Sequence, residues 1–327
     1  MSFEAIRIDK DDADYRAGYV AMDDTDLMPG DVDIDVTHST INYKDGLAIT
    51  GKGPIVRRFP MIPGVDFAGR VACSTHGDFT PGDLVVAGGC GLGEAHFGGF
   101  AGKARVSGDW LVPLPEGLSP EQAMAIGTAG LTAMFCVLAL ERFGMTPSLG
   151  PAVVTGASGG VGSVAVALLA RLGWRVVAVT GRSEEGAYLK SLGAHEIVDR
   201  AELAEPGKLL QSRRFAAGVD TVGSVTLANV LAQTQFDGAV VACGNARGMD
   251  LPASVAPFIL RGVSLLGVEA VRPRLALRRE AWARLARDLD KDALDRMSET
   301  IPFSQTLERA RQIVEGRVRG RIVVKIR

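Results

Sequence analysis

The sequence predicts an α/β protein in which a doubly wound parallel sheet is joined to a second, barrel-like β domain. The chain has 327 residues, more than the ~250 at which a single hydrophobic core usually stops growing. Its first third contains short β-like runs between Gly and Pro clusters, and strand-like and helix-like segments alternate after Pro151. We therefore predict one domain from residues 1–122 and 273–327 and another from residues 123–272.

The first predicted domain is a compact β structure that the end of the chain rejoins. Pro113 and Pro115 mark its boundary, and Ser119 is a suitable cap for an apolar helix over Gln122–Leu140. The chain closes with two amphipathic helix candidates and one further strand. The predicted strands are Val32–Val36, Asp66–Ala72, Asp83–Val86, Phe100–Val106 and Arg321–Ile326, and the late helices are Arg274–Leu289 and Thr306–Val314.

The second predicted domain alternates strands with helices, which is typical of a parallel sheet covered on both faces. Its predicted helices are Gly160–Leu172, Ser183–Leu192 and Ser224–Thr234. Its predicted strands are Ala152–Thr155, Arg175–Thr180, Glu196–Val198, Gly218–Val222, Ala239–Cys243 and Val263–Val268.

Composition and charge narrow the range of partners. The formal net charge is −2, so the chain lacks the strongly basic balance of nucleic-acid binders and of proteins held on anionic membranes. The amino terminus, Met1 to Lys10, mixes charged and apolar residues and does not resemble a signal peptide. Four scattered cysteines do not predict a disulfide framework. We therefore expect a cytoplasmic protein with a small-molecule partner, no nucleic acid and no membrane.

A glycine loop follows the first strand of the second domain. Residues Thr155–Gly162 are Thr-Gly-Ala-Ser-Gly-Gly-Val-Gly, between a buried strand and a helix. Such a loop lets the backbone approach a pyrophosphate, whose charge meets unpaired amides and the positive end of the helix dipole. The stretch Gly144–Ala170 contains no charged residue, but these glycines favour strand, loop and helix over a membrane span. A tight turn that only packs a helix on a strand is the alternative; the alternating pattern favours cofactor binding.

The residues after the second strand of this domain predict NADPH. An NAD-preferring site usually has an acidic residue there, to accept a hydrogen bond from the ribose 2′-hydroxyl. This chain has Thr180-Gly181-Arg182, whose hydroxyl and guanidinium can donate to a 2′-phosphate. The alternative is that Arg182 is a solvated helix-start residue, and Glu184 and Glu185 close by keep that alternative open.

Several longer stretches resemble the medium-chain dehydrogenase/reductase superfamily, and the resemblance covers almost the whole chain. It implies a Rossmann-type dinucleotide domain and a GroES-like, barrel-like β domain. The stretches are Pro63–Gly69, Gly127–Ala133, Thr155–Gly162 and Gly320–Val324.

The zinc ligands of that superfamily's alcohol dehydrogenases are missing from the sequence. Those members use a Cys in the first domain and a later Gly-His-Glu segment, whereas this chain has Asn42–Asp45 and Gly64–Asp66. Four histidines remain, at spacings that match no zinc motif: His38, His76, His96 and His195. We predict no metal. Without a Lewis acid, hydride delivery to an already electrophilic carbon is the easier chemistry.

Within the zinc-independent members the chain is similar to the acryloyl-CoA reductase branch, whose members use NADPH to reduce acryloyl-CoA to propionyl-CoA. The similarity implies hydride transfer to the β-carbon, an enolate on the thioester oxygen, and protonation of the α-carbon by solvent or a side chain. The stretches that carry it are Asn42–Leu47, Val179–Arg182, Tyr188–Ala194 and Ala256–Arg261.

The resemblance also implies which residues form the site. Tyr43 is a candidate to lie beside the nicotinamide and orient substrate, with Asn42 as a second catalytic polar group. Each of these residues has an alternative, purely structural role. Tyr43 could be a half-buried aromatic, Arg200 could be a solvated turn residue, and Asn245 could only shape its loop. Thr128 could instead bond to its own helix backbone. The implied cofactor contacts are Tyr43, Thr128, Ser158, Gly159, Gly160, Val161, Thr180, Gly181, Arg182, Arg200, Asn245 and Arg321.

An acyl-CoA thioester is the predicted substrate, and a homodimer is predicted through Val263–Val268, which could pair with its copy across a two-fold axis. Two other functions stay open: an NADPH:quinone or general enone oxidoreductase, and a non-catalytic NADPH-binding sensor. The phosphates of CoA need positively charged residues to bind them. Positively charged residues usually only face solvent, which is the alternative for each of them. The available ones include Lys52, Arg57, Arg58, Arg272, Arg274 and Arg278.

Overall fold

The computed structural model describes residues 2–11 and 14–327. Contacts divide the chain into two compact units. Unit 1 contains the residues up to Thr128 together with Val271–Ala286 and Met297–Arg327, and unit 2 contains Ala129–Ala270 and Arg287–Arg296. The first boundary lies next to Gly127, whose φ of 49° and ψ of −162° interrupt the long helix over Pro120–Arg142. A residue with a side chain rarely adopts this φ, so glycine suits the interruption.

Unit 1 is built on β-strands, as predicted, and the last strand of the chain does rejoin it; its pairs are antiparallel except that of β14 with β15, which is parallel. β15 pairs antiparallel with β3, and the larger sheet has the order β14-β15-β3-β4-β5-β7, with β6 also on β3. A separate hairpin of β1 and β2 precedes it. The strands are β1 Ser2–Lys10, β2 Tyr15–Asp23, β3 Val32–Ile41, β4 Asp66–Ser74, β5 Leu84–Gly88, β6 Lys103–Val106, β7 Leu111–Pro113, β14 Ser298–Pro302 and β15 Arg321–Lys325.

Several features of unit 1 differ from the prediction, among them the unpredicted strands β7 and β14. The β1–β2 hairpin was not predicted, although β1 buries alternate residues as a strand should. Met1, part of the segment judged not to be a signal peptide, lies outside the described residues. The predicted strand over Phe100–Val106 begins only at Lys103, because Phe100 and Ala101 bond to β1 and not to β3: the Ile6 amide donates to the Phe100 carbonyl at 2.9 Å, and Ala101 bridges Ala5. The short helix α1, Tyr43–Thr50, was also missed.

Unit 2 contains the predicted doubly wound sheet. All of its strand pairs are parallel, in the order β10-β9-β8-β11-β12-β13. Counted along the chain this is the order 3-2-1-4-5-6 of the Rossmann fold, which confirms the predicted fold class. The strands are β8 Ala152–Thr155, β9 Val176–Thr180, β10 Ala194–Asp199, β11 Phe215–Asp220, β12 Thr234–Ala242 and β13 Ser264–Gly267.

The helices largely follow the predicted periodicity. One predicted helix, Ser183–Leu192, is instead a 3₁₀ turn over Ser183–Glu185 followed by a shorter α-helix. The longest helix passes the length and composition test for a membrane span, but 89% of its apolar window is buried, as in a core helix. The helices after α1 are α2 Pro120–Arg142, α3 Gly160–Arg171, α4 Gly186–Ser191, α5 Ser224–Gln233, α6 Ala256–Arg261, α7 Leu275–Asp288, α8 Lys291–Met297 and α9 Thr306–Val314.

Candidate cofactor and active site

The glycine loop lies between β8 and α3, at the carboxyl end of the central strand of unit 2, where open α/β sheets bind their ligands. Gly156 has a φ of +59°, which makes the tight turn. A Cβ on Gly162 would lie 2.2 Å from the carbonyl oxygen of Gly156. A Cβ on Gly159 would meet only that carbonyl, at 3.3 Å, so this side of the loop is open to a ligand. Each glycine thus matches the role expected in a dinucleotide loop.

Polar side chains gather beside this loop at the end of β9. The hydroxyls of Ser158 and Thr180 are 3.0 Å apart, and Arg182 donates from Nε to the Ser158 hydroxyl at 3.2 Å. The backbone amide of Arg182 donates to the Thr180 hydroxyl at 3.1 Å. A Cβ on Gly181 would come within 2.6 Å of the guanidinium carbon of Arg200, so the two arginines approach the same turn. These four side chains, which the sequence analysis singled out, are brought together.

One acidic group near this turn, Asp199, is engaged elsewhere. Asp199, at the end of the neighbouring strand β10, accepts a hydrogen bond from the backbone amide of Ala201 at 2.7 Å and so caps its own turn. Ser158, Thr180, Arg182 and Arg200 together offer two cations and two hydroxyls, the donor set that suits a phosphate. Glu184 and Glu185 follow Arg182 directly, in the 3₁₀ turn over Ser183–Glu185.

A buried carboxylate, Asp220, supports the same loop and was missed from sequence. It ends β11 and accepts from the Thr155 hydroxyl at 2.7 Å and from the Gly223 amide at 2.7 Å. Burial raises its pKa above the ordinary value for an aspartate, and these donors act in the opposite direction. Asp220 thus joins the ends of two adjacent strands. An acid at the end of a predicted parallel strand was the available signal.

In unit 1, a buried polar network surrounds Asn42. Its amide nitrogen donates to Asp66 at 2.7 Å and to Asp45 at 3.2 Å, and its amide oxygen accepts from the guanidinium of Arg321 at 3.1 Å. Asp66 also accepts from the backbone amide of Thr128 at 3.0 Å and from its hydroxyl at 2.6 Å. The network therefore fixes the start of helix α1 and the residue after the Gly127 interruption at the same carboxylate.

The three charged members of this network are fully buried, and burial dominates the pKa of each. It raises the pKa of Asp45 to about 7 and raises that of Asp66, while it lowers that of Arg321. The neighbouring carboxylates act against this shift for Arg321 and favour its charged form. Two carboxyl groups thus lie in the field of one guanidinium, and burial favours the neutral form of each carboxyl.

The same place in zinc-containing relatives would need metal ligands, and the residues present do not fit a metal. Asn42 lies between Asp66 and Arg321, and both ends of its amide are already hydrogen bonded. A cation there would also face the buried guanidinium of Arg321. In the part of the chain that the structure describes, no group of three or more His, Cys, Asp or Glu could hold a metal ion. No step of the proposed reaction is therefore assigned to a metal.

The remaining predicted site residues lie in different surroundings. Tyr43 is the first residue of α1 and is 50% exposed, so its ring is presented to solvent by the network beneath it. Arg321 is only 3% exposed and also donates to the carbonyl of Ala125 at 2.9 Å. Its contacts therefore lie within the buried network and not at the surface. Asn245 is exposed in the loop after β12, and its amide nitrogen contacts the Met249 sulfur at 2.6 Å.

Comparison with known proteins places this geometry in a family. The family described as "Alcohol dehydrogenase GroES-like domain" matches residues 28–116, and that described as "Zinc-binding dehydrogenase" matches residues 160–289. The acrylyl-CoA reductase AcuI of Ruegeria pomeroyi is 50% identical over 327 residues, 99% of both chains. The chain belongs to the AcuI family. The predicted superfamily, and the predicted branch within it, are thereby confirmed.

Two further relatives frame the chemistry of this AcuI-family chain. The crystal structure of the yhdH oxidoreductase from Salmonella enterica in complex with NADP is 50% identical, with a TM-score of 0.97 over 99% of this chain and 100% of that one. The putative quinone oxidoreductase YhfP of Bacillus subtilis is 41% identical over 99% of both chains. The family therefore contains members described both as acrylyl-CoA reductases and as putative quinone oxidoreductases.

Proposed function

We propose that this AcuI-family chain reduces the carbon–carbon double bond of a short 2-enoyl-CoA with NADPH, converting acryloyl-CoA to propionyl-CoA. The observation that carries the proposal is the 50% identity, over 99% of both chains, to a protein described as an acrylyl-CoA reductase. The arrangement of Ser158, Thr180, Arg182 and Arg200 supports NADPH as the reductant. The chain is an NADPH-dependent oxidoreductase that acts without a metal.

Unit 2 holds the cofactor in this proposal. The backbone amides of Gly159–Val161, in the first turn of α3, bind the pyrophosphate, because the first amides of a helix have no partner within it. The guanidinium groups of Arg182 and Arg200 and the hydroxyls of Ser158 and Thr180 donate to the 2′-phosphate. When bound there, NADPH supplies a hydride for the β-carbon of the substrate.

Unit 1 supplies Tyr43 for the substrate. Thr128 donates its hydroxyl proton to Asp66 at 2.6 Å, which fixes the direction of its side chain. The exposed hydroxyl of Tyr43 donates to the thioester oxygen, where negative charge develops as the β-carbon gains hydride. Asn42 and Arg321 act by holding Tyr43 in place. The α-carbon then takes a proton from solvent or from a side chain.

The test is NADPH oxidation with acryloyl-CoA, measured beside NADH, crotonyl-CoA and a quinone after exhaustive treatment with a chelator. We expect NADPH-selective, chelator-insensitive turnover of acryloyl-CoA. Activity on the quinone without activity on either thioester would favour the quinone reductase function that the name of YhfP suggests. Tight NADPH binding without turnover of any acceptor would favour a sensor.

The proposal includes a homodimer through strand β13. This strand ends the sheet of unit 2, and Leu265 and Leu266 on it are only half-buried. The adjacent helix α6 exposes Ile259 by 73% and Leu260 by 59%. A paired edge and a covered apolar helix would remove both from water. A mass of about one chain by light scattering at micromolar concentration would contradict this assembly.

We also propose a cytoplasmic location. The four cysteines form no disulfide with one another in the structure, and Cys73 is exposed. Exposed thiols are most readily kept reduced in the cytoplasm. Cell fractionation with an antibody against the chain tests this, and recovery outside the cytoplasmic fraction would contradict it.

A further inference from the structure

We propose that the loop after helix α1 is the subsite for the phosphates of the CoA substrate, with Arg57 and Arg58 as its principal cations and Lys52 beside them. This inference rests on the proposed function, because it assigns a ligand to a surface next to Tyr43. Packing, charge and position select Arg57, Arg58 and Lys52 among the cations that the sequence offers.

The structure first removes one candidate cation. Arg278 is 4% exposed, and its guanidinium donates to the carbonyl oxygens of Trp110 at 2.5 Å and of Asp109 at 2.7 Å. These contacts tie helix α7 to the loop before β7. Arg278 therefore has a structural role and cannot reach a ligand.

The loop over residues 51–60 is a fixed platform that presents its basic residues outward. Ile55, Val56 and Phe59 pack on the core of unit 1, and the Phe59 ring makes an edge-on contact with Tyr15 at 5.8 Å between centroids. Arg57 and Arg58, between these anchors, are both exposed. A fixed backbone lowers the entropy lost when the arginines bind an anion.

A buried carboxylate ties this platform to the start of α1. Glu94, 6% exposed, accepts from the ammonium of Lys44 at 2.7 Å and lies 3.6 Å from the guanidinium of Arg57. The backbone amide of Arg57 donates to the Glu94 carbonyl at 2.8 Å. The Glu94 carboxylate therefore links Arg57 to Lys44. Lys44 directly follows Tyr43, the residue proposed to meet the thioester.

The charge of the platform is positive after all of its ion pairs are counted. Glu94 can neutralise one of Lys44 and Arg57, and neither Arg58 nor Lys52 has an ion-pair partner among residues 2–11 and 14–327. Lys52 lies beyond the far end of α1, whose eight residues span about 12 Å at 1.5 Å per residue. The thioester and the phosphates of CoA are likewise separated, by the pantetheine arm. Guanidinium groups bind phosphate oxygens in pairs of hydrogen bonds.

The experiment measures two quantities for Arg57→Ala, Arg58→Ala and a matched control, Arg279→Ala. Arg279 is also an exposed arginine of unit 1 with one carboxylate partner, Asp78 at 3.5 Å. The first quantity is the KM for acryloyl-CoA, for acryloyl-3′-dephospho-CoA and for acryloyl-pantetheine. The second is the Kd of CoA itself by calorimetry, which needs no turnover.

We expect each platform variant to raise the KM for acryloyl-CoA and the Kd of CoA by about two- to fivefold, the usual range for a solvent-exposed charged contact. The KM for acryloyl-pantetheine, which has no phosphate, should stay unchanged. An effect that persists with the dephospho substrate assigns the pyrophosphate, and one that disappears assigns the 3′-phosphate.

Two results would overturn the subsite. One is an equal change in Arg279→Ala, which would indicate general attraction of an anion by a cationic surface. The other is an equal change for acryloyl-CoA and acryloyl-pantetheine. If the proposed function is wrong, the unaltered protein turns over no acryloyl thioester. The calorimetric Kd of CoA then still tests whether the platform binds CoA.

Discussion

Replacing Asp66 with Asn tests whether the buried network of unit 1 depends on an ionised carboxylate. The substitution keeps the shape of the side chain but turns one acceptor oxygen into an NH₂ donor. In the structure both oxygens face donors: Thr128 from its amide and hydroxyl, and Asn42 from its side-chain nitrogen. One donor must then lose its partner in a fully buried place. The guanidinium of Arg321 also loses a neighbouring negative charge.

The size of the effect follows from these losses. A hydrogen bond to a charged group contributes about 1.5 to 3 kcal/mol, and a buried donor left without a partner costs a further ~1 to 3 kcal/mol. We therefore expect Asp66→Asn to lower the free energy of unfolding by about 3 to 5 kcal/mol. Urea denaturation at neutral pH measures this change.

Asp33→Asn is the matched control for this substitution. Asp33 also accepts two hydrogen bonds from one arginine, Arg105, at 2.5 and 3.0 Å, but its side chain is 36% exposed. We expect that variant to change stability by about 1 kcal/mol or less, as for surface ion pairs. If the Asp66 and Asp33 variants were equally stable, the assignment of Asp66 as an ionised anchor would be refuted.

Three further predictions concern the pH dependence of stability and the cofactor loop. The pKa of Asp45 is about 7 in the folded protein and near 3.8 in the unfolded chain, so the folded state holds a proton that the unfolded state has lost. Wild type should therefore lose stability relative to Asp45→Asn as pH rises from about 4 to about 7, with no further change above pH 7. A difference between the urea midpoints of the two proteins that stays constant with pH would contradict this. Arg182→Ala should weaken NADPH binding by roughly ten- to a hundredfold and leave NADH binding nearly unchanged, measured by fluorescence titration; equal losses for both cofactors would remove Arg182 from the phosphate site. Gly162→Ala places a Cβ 2.2 Å from the Gly156 carbonyl and should cost about 1 to 3 kcal/mol in thermal unfolding and weaken both cofactors; unaltered binding would mean that the loop has room.

Local patterns carried most of what the sequence predicts correctly. The bounds of β8, Ala152–Thr155, and of α9, Thr306–Val314, agree with the structure, because apolar runs and helical periodicity are local signals. The Ser158, Thr180 and Arg182 set was also within reach, because the parallel strands bring the ends of neighbouring strands to one edge. Helix α1 was missed, although Asn42 and Asp45 have the spacing of a capping box.

The network of unit 1 could not be derived from local patterns. Asn42 and Asp66 are 24 residues apart, Thr128 and Asp66 are 62 apart, and Arg321 and Asn42 are 279 apart. Such contacts depend on how β4 and β15 pair with β3, and neither the pairing nor its register is visible in one sequence. The family resemblance pointed to Asn42 and Arg321 as site residues. The structure places both in the interior, where Asn42 donates to Asp66 and Arg321 donates to Asn42.

The central claim is that this chain is a metal-independent, NADPH-selective reductase of acryloyl-CoA. The most direct test is the rate of NADPH oxidation by acryloyl-CoA, with the chain freed of metal by chelation and with product identified by mass spectrometry. We predict stoichiometric propionyl-CoA formation, far faster with NADPH than with NADH and unchanged by the chelator. No propionyl-CoA, or activity that disappears with the chelator and returns with zinc, would contradict the account.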